Sequence, residues 1–74
     1  MKNIKLVKAL VAAFANIPTS DVEDSETIEN HGITESDFYE MVTFFEEHYG
    51  IELLDETSLD MTVKELRELI KSKF

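Results

Sequence analysis

The chain has 74 residues, no cysteine and a formal net charge of −9 at pH 7, from 16 acidic and 7 basic residues. Its length predicts one small domain over residues 1–74, and the lack of cysteine excludes disulfides, thiol nucleophiles and Cys-ligated zinc sites. The negative charge argues against nucleic acids and anionic membranes as partners, and it favours a basic surface on another protein. An apolar fraction of 43% is enough to build a core.

The first element is an amphipathic helix, predicted over residues 3–15. Its apolar side chains recur at spacings of three and four: Ile4, Val7, Leu10, Val11 and Phe14. We predict that the helix ends before Pro18, because proline has no backbone N–H to continue the helical hydrogen bonds. The charged start superficially resembles an export signal, but its apolar residues fit a helix face and are too few to span a bilayer. We therefore expect a cytoplasmic protein. We also expect it to be a monomer.

A long loop over residues 16–35 follows and has no sustained periodicity. It is rich in turn and cap formers such as Asp, Ser and Thr. Val22 and Ile28 are isolated apolar residues, and we expect them to pin the loop to the core. No Lys or Arg occurs between Lys8 and Lys64, so the negative field concentrates in this middle part of the chain.

Oxygen-bearing side chains alternate in the loop in a way that resembles a calcium-binding loop: Asp21, Glu23, Ser25, Thr27 and Glu29. The pattern fails, because Glu26 replaces the glycine needed at the sixth position and Gly32 stands where a bidentate glutamate is needed. We predict no EF-hand and no built metal site, and only loose binding of divalent cations stays open. His31 and His48 are on different elements, and no catalytic motif is present, so an enzyme is not expected.

The second helix is predicted over residues 35–49. Thr34 and Asp37 have the spacing of a capping box, and Gly50 is a C-terminal stop. Its predicted apolar face consists of a buried stripe and two flanking aromatic residues: Phe38, Met41, Val42, Phe45 and Tyr49, with Tyr39 and Phe44.

The last helix is predicted over residues 62–73, after a loop or single helical turn near 55–60. Thr62 and Glu65 have capping-box spacing. The side chains predicted to point inward are Val63, Leu66, Leu69, Ile70 and Phe74. No strand pattern competes with these helices, so the expected fold is all-α, a small three- to four-helix bundle with a long first loop.

The order and spacing of these features resemble the acyl carrier protein family over nearly all of the chain. The resemblance includes the first helix, the anchors Val22 and Ile28, and Gly32 before the second helix. It also includes the run EEHYGIEL at 46–53, which is similar to the family's acidic-aromatic-Gly-Ile-Glu-Ile signature. The resemblance implies a bundle of that type and a non-enzymatic carrier in lipid metabolism, such as fatty acid biosynthesis.

In that family, a serine in the pattern Gly-x-Asp-Ser-Leu carries 4′-phosphopantetheine. Counting forward from Val22 and Ile28 places Ser36 at this serine. Counting forward from Gly32, or back from the end of the second helix, places Glu35 there and turns Ser36 towards the bundle, because one residue is about 100° of helical rotation. The resemblance therefore implies either a carrier modified on Ser36 or a carrier-like interaction domain that is never modified.

The family also uses its second helix to recognise basic patches on partner enzymes. The positions of this chain that match are Asp37, Glu40, Glu46 and Glu47, with Asp55 and Glu56 nearby. The partners implied are a phosphopantetheinyl transferase and acyl-transfer or synthase enzymes. Each of these acids is equally well explained as part of a solvated helix face, and the sequence does not identify the acyl or aminoacyl group.

Overall fold

Three α-helices and three short 3-10 turns make up the regular structure of residues 4–74, the part of the chain that this computed structural model describes. The α-helices are α1 (Lys5–Ala15), α2 (Glu35–Tyr49) and α3 (Val63–Ser72). The 3-10 turns are Thr19–Asp21, Glu29–His31 and Leu54–Glu56. No strand occurs within residues 4–74, where one isolated antiparallel bridge joins Thr27 to Thr62. The all-helical prediction is confirmed.

The predicted helix boundaries agree with the structure to within one or two residues. The second helix occupies the predicted 35–49. The third begins one residue later than predicted, because Thr62 is its N-cap, and it ends at Ser72. The first ends at Ala15 as predicted, while its predicted start at residue 3 lies outside the described residues.

Left-handed residues end the first two helices. Asn16 has φ 59° after α1, and Gly50 has φ 68° after α2. Asn and Gly are the residues that adopt this conformation most readily, so both stops follow from residue type. A Cβ built on Gly50 meets no atom within 4 Å, so the requirement for glycine there is conformational rather than steric.

Threonine side chains cap the N-termini of α2 and α3. Thr62 Oγ1 accepts the Glu65 N–H at 3.0 Å, and Glu65 Oε1 accepts the Thr62 N–H at 2.8 Å, which confirms the predicted capping box. At the start of α2, Thr34 Oγ1 accepts the Asp37 N–H at 3.3 Å. Thr34 and Thr62 are therefore confirmed as N-caps, and the full reciprocal capping box forms only at Thr62.

One hydrophobic core joins the helices and the long loop. Its buried members are Val7, Val11, Ala12, Val22, Ile28, Ile33, Phe38, Met41, Val42, Phe45, Tyr49, Leu53, Val63, Leu66 and Ile70. Val22 and Ile28 are 4% and 0% exposed, so both predicted loop anchors are confirmed. The backbone N–H groups of Ile28 and Glu29 donate to Met61 O and Leu59 O, both at 2.9 Å, and fix the loop beside the start of α3.

Tyr39 and Phe44 flank the buried stripe of α2 and are exposed, and the prediction that Phe74 points inward is wrong. Tyr39, Phe44 and Phe74 are 57%, 42% and 49% exposed. At about 100° per residue, the buried stripe of α2 already covers the arc that faces the core, and Tyr39 and Phe44 fall on either side of it. Phe74 lies beyond the end of α3, with its ring 5.2 Å from that of Tyr49 at the protein surface.

Candidate functional site

Ser36 lies in the first turn of α2, on the solvent side. Thr34 is the N-cap, so Glu35 and Ser36 are the first two helical residues. Ser36 is exposed, whereas Phe38 is buried. They are two positions apart in the sequence, which places their side chains about 160° apart around the helix axis. The expectation that counting back from the end of α2 turns Ser36 towards the bundle is therefore wrong.

Opposing electrostatic effects meet at Ser36. The first N–H groups of a helix lack partners within it, and the positive end of the helix dipole favours a phosphate there. Glu35 and Asp37 place two carboxylates in the same turn, and these would repel a phosphate. Ser36, Glu35, Tyr39 and Glu40 line an open, shallow depression on the surface. The site offers an accessible hydroxyl with space beside it.

Glu46 has a structural role that its position in the sequence did not reveal. Its Oε2 accepts the N–H of Leu53 at 2.7 Å and the N–H of Leu54 at 3.0 Å. These two hydrogen bonds, with Leu53 the stronger cause, hold the pKa of Glu46 below its usual value. The carboxylate thereby fixes the 3-10 turn Leu54–Glu56 against the end of α2, and its partner-binding role stays a prediction.

The structure separates the other predicted partner-binding acids into two groups. Glu40 and Glu47 are exposed on the same side of α2 as Ser36, and Asp37 is half-buried in the first turn. Asp55 and Glu56 instead lie in the 3-10 turn that Glu46 holds. Glu56 pairs with Lys73 near the C-terminus. Their roles in partner binding stay predictions.

Asp24 carries the main ion pair that joins the loop to α3. Arg67 binds it with both terminal nitrogens, Nη1 to Oδ1 at 2.8 Å and Nη2 to Oδ2 at 3.1 Å, and Lys8 Nζ lies 3.9 Å from Oδ1. The hydrogen bonds from Arg67 are the largest cause of a lowered pKa at Asp24. Asp24 and Arg67 are 43 residues apart, so no local pattern in the sequence indicates this pair.

His31 is a loop clamp. Its Nε2 accepts the Glu23 N–H at 3.1 Å, and its Nδ1 lies 2.7 Å from Thr27 O. Since Nε2 accepts, Nδ1 carries the proton and donates to Thr27 O. His48 stacks on Phe44, with ring centroids 5.7 Å apart. Within residues 4–74, no three or more His, Asp or Glu side chains gather into a group that could hold a metal ion.

Neither a family model, nor a curated protein, nor a solved structure matches this chain. The resemblance to acyl carrier proteins therefore stays a prediction. Among residues 4–74, none of the helices combines the length and the apolar character needed to cross a membrane.

Proposed function

We propose that this protein is an acyl-carrier-type domain that presents Ser36 for attachment of 4′-phosphopantetheine. The observation that carries the proposal is the exposed Ser36 hydroxyl in the first turn of α2, with an open depression beside it. Gly32, with φ 85°, turns the chain from the loop towards this helix start. A transferase would therefore reach Ser36 from solvent without unfolding the core.

The chemistry of loading needs only the Ser36 oxygen from this chain. Transfer from coenzyme A forms a phosphodiester at Ser36 Oγ and releases adenosine 3′,5′-bisphosphate, while the hydroxyl proton leaves to a base. The thiol of the attached group supplies the thioester chemistry, and the protein supplies presentation and recognition. The positive end of the helix dipole favours the phosphate at Ser36, whereas the carboxylates of Glu35 and Asp37 oppose it.

The acidic residues near Ser36 support recognition by basic partner enzymes. Glu40 and Glu47 are exposed on the side of α2 that carries Ser36. Charges of this kind mainly raise the association rate and make it depend on salt. Asp55 and Glu56 would extend the acidic surface from the neighbouring turn, whereas Glu46 positions that turn through its two backbone hydrogen bonds.

The capping of α2 favours a second function. Asp is, like Thr, a preferred N-cap residue, so the Asp of the family pattern corresponds well to Thr34, the N-cap observed here. That correspondence puts Glu35 at the serine position. The protein would then be a carrier-like interaction domain, bound by partner enzymes and never phosphopantetheinylated.

Intact-mass spectrometry after incubation with coenzyme A and a broad-specificity transferase separates the two functions. For a carrier, wild-type protein gains one phosphopantetheine group and the Ser36→Ala variant gains none. Ser36 is exposed, so this substitution leaves the fold intact, which circular dichroism checks. The matched variant combines Glu35→Ser with Ser36→Ala. If this double variant is modified and wild type is not, Glu35 occupies the serine position and the interaction domain is the correct function.

A further inference from the structure

An open groove lies where the start of α1 meets α3 and the first 3-10 turn. It has a volume of about 410 Å³. Ile4, which packs against the core, forms an apolar part of its wall, and the methylene stems of two lysines extend that part. We call it the α1–α3 groove, and its lining is Ile4, Lys5, Lys8, Thr19 and Arg67. It therefore combines an apolar wall with three cationic side chains.

Positive charge is concentrated around the α1–α3 groove. The hydrogen bonds from Arg67, and then the charges of Arg67, Lys8 and Lys64, lower the pKa of Asp24. Glu68 is a second carboxylate, and it acts on Arg67. With the other lysine of the groove, four cations thus lie near two carboxylates, so the groove keeps an excess of positive charge.

The cations of the α1–α3 groove retain donors for an anion. Arg67 uses one N–H of each terminal nitrogen to bind Asp24, at 2.8 and 3.1 Å, and a guanidinium has five N–H donors. Lys8 Nζ lies 3.9 Å from Asp24 Oδ1, which is longer than a hydrogen bond. Thr19 is exposed and adds a hydroxyl donor. Donors from α1, α3 and the 3-10 turn therefore meet in one groove.

The lining indicates a ligand that joins one carboxylate to a compact apolar body. A bare inorganic anion would leave the apolar wall in contact with water, whereas an apolar body would cover it. A cavity of about 150 Å³ holds a benzene molecule, so the groove has room for an aromatic ring system, whose face Arg and Lys attract. Residues 9–63 contain no Lys or Arg, so the acidic middle of the chain repels the same anion.

We propose that the α1–α3 groove binds a small aromatic carboxylate, with the carboxylate among Lys8, Arg67 and Thr19 and the ring against Ile4. The inference goes beyond the proposed function, because the groove includes neither Ser36 nor any other residue of α2. Failure of this inference and failure of Ser36 loading are therefore separate results.

The test is an NMR titration of the ¹⁵N-labelled wild-type chain with 1-naphthoate as the probe. We expect saturable shifts that are largest at the amides of residues 4–8, 19–21 and 64–68. Two further titrations separate the contributions of charge and apolar contact. The neutral 1-naphthamide lacks the charge, and acetate lacks the ring, so both should bind more weakly than 1-naphthoate. Added NaCl should weaken the binding of 1-naphthoate, because salt screens its carboxylate.

Substitutions locate the site on the chain. Lys8→Gln removes one cation of the groove, and Thr19→Val removes the hydroxyl while keeping the shape of the side chain. Each should weaken the binding of 1-naphthoate at least threefold. The matched control is Lys73→Gln, which removes one positive charge where Lys73 pairs with Glu56, outside the groove, and should leave the affinity unchanged. Circular dichroism checks that each variant folds.

Any of four results would overturn the proposal. Equal affinity for 1-naphthoate and 1-naphthamide would show that the cations do not select the ligand. Equal affinity for 1-naphthoate and acetate would show that the apolar wall contributes nothing. Shifts on α2 as large as those in the groove, or no saturable shift in the groove, would show that there is no specific site. Unchanged affinity in both Lys8→Gln and Thr19→Val would place the ligand elsewhere.

Discussion

On each side of α2, one side chain holds an irregular segment in place through hydrogen bonds to its backbone. Glu46 holds the turn that follows the helix through the N–H groups of Leu53 and Leu54. His31 holds the loop that precedes it through Glu23 and Thr27. Both residues accept hydrogen bonds from backbone N–H groups that have no partner within a helix or strand. Replacing either residue therefore leaves these N–H groups without their acceptor and lowers the free energy of unfolding.

Glu46 should make stability depend on pH in the acidic range. Its pKa is lowered in the folded protein by the hydrogen bonds from Leu53 and then Leu54. Its contribution is therefore complete above the unfolded value of about 4.3 and is lost as the pH falls through the lower, folded value. We expect Glu46→Gln to reduce the free energy of unfolding by about 1 kcal/mol at pH 7, because a neutral acceptor replaces a charged one.

Urea unfolding of both proteins from pH 7 to pH 3 measures this effect. The difference between wild type and Glu46→Gln should shrink towards zero at the acidic end. Glu47→Gln is the control, because Glu47 is exposed and its substitution only relieves negative charge. A difference between wild type and Glu46→Gln that is constant over the whole range would contradict the role of the ionised carboxylate.

His31→Phe should open the loop clamp. The variant loses both imidazole hydrogen bonds, each worth about 1 kcal/mol, and leaves the Glu23 N–H without its acceptor. We expect faster hydrogen exchange at the Glu23 amide and a lower melting temperature. His48→Phe is the matched control, since it keeps an aromatic ring against Phe44 and should leave Glu23 exchange unchanged. Equal exchange in all three proteins would show that the clamp does not hold the loop.

At the scale of elements, the two threonine caps differ in strength. Thr62 takes part in a reciprocal pair of bonds with Glu65, whereas Thr34 accepts one longer bond at 3.3 Å. Thr62→Ala should therefore cost about 1–2 kcal/mol of unfolding free energy, and Thr34→Ala about 0.5–1 kcal/mol. Chemical denaturation ranks the two variants, and a larger loss at Thr34 would contradict the capping analysis. Replacement of either residue by Ser should restore most of the stability.

The helices were predictable from the sequence because their signals are local. Periodic apolar residues, threonine caps and the stop at Gly50 all act within a few positions of the residues that they govern. The hydrogen bond that the Leu53 N–H donates to Glu46 and the ion pair of Asp24 with Arg67 were not predictable. The first depends on how the turn after α2 folds back on the helix, and the second joins residues 43 positions apart. The exposure of Ser36 depends on where α2 begins, and counting residues from distant anchors did not determine its direction.

At the scale of the whole molecule, charge is distributed unevenly. All of the 16 acidic residues except Glu65 and Glu68 lie between residues 9 and 63, where there is no Lys or Arg. The basic residues near Asp24 come instead from α1 and α3, with Arg67 and Lys8 both close to its carboxylate. This arrangement leaves the loop and α2 with an unbalanced negative field that opposes compaction.

Salt should therefore stabilise the protein. Raising NaCl from about 10 mM to about 0.5 M shortens the screening length several-fold, and we expect the melting temperature to rise. Millimolar divalent cation should have the same effect, originating between residues 21 and 60. A Glu40→Gln, Glu47→Gln variant should respond less to salt, and Lys71→Gln should respond more. A melting temperature that is indifferent to ionic strength would mean that the acids are too dispersed to repel one another.

The most direct measurement for the proposed carrier function is the mass of the wild-type chain purified after co-expression with a broad-specificity phosphopantetheinyl transferase. The account predicts one added phosphopantetheine group, which fragmentation locates on the peptide that contains Ser36. A carrier protein of known activity, expressed in the same cells, shows that the transferase works. An unmodified chain beside a fully modified control carrier would contradict the account and leave the unmodified interaction domain as the function.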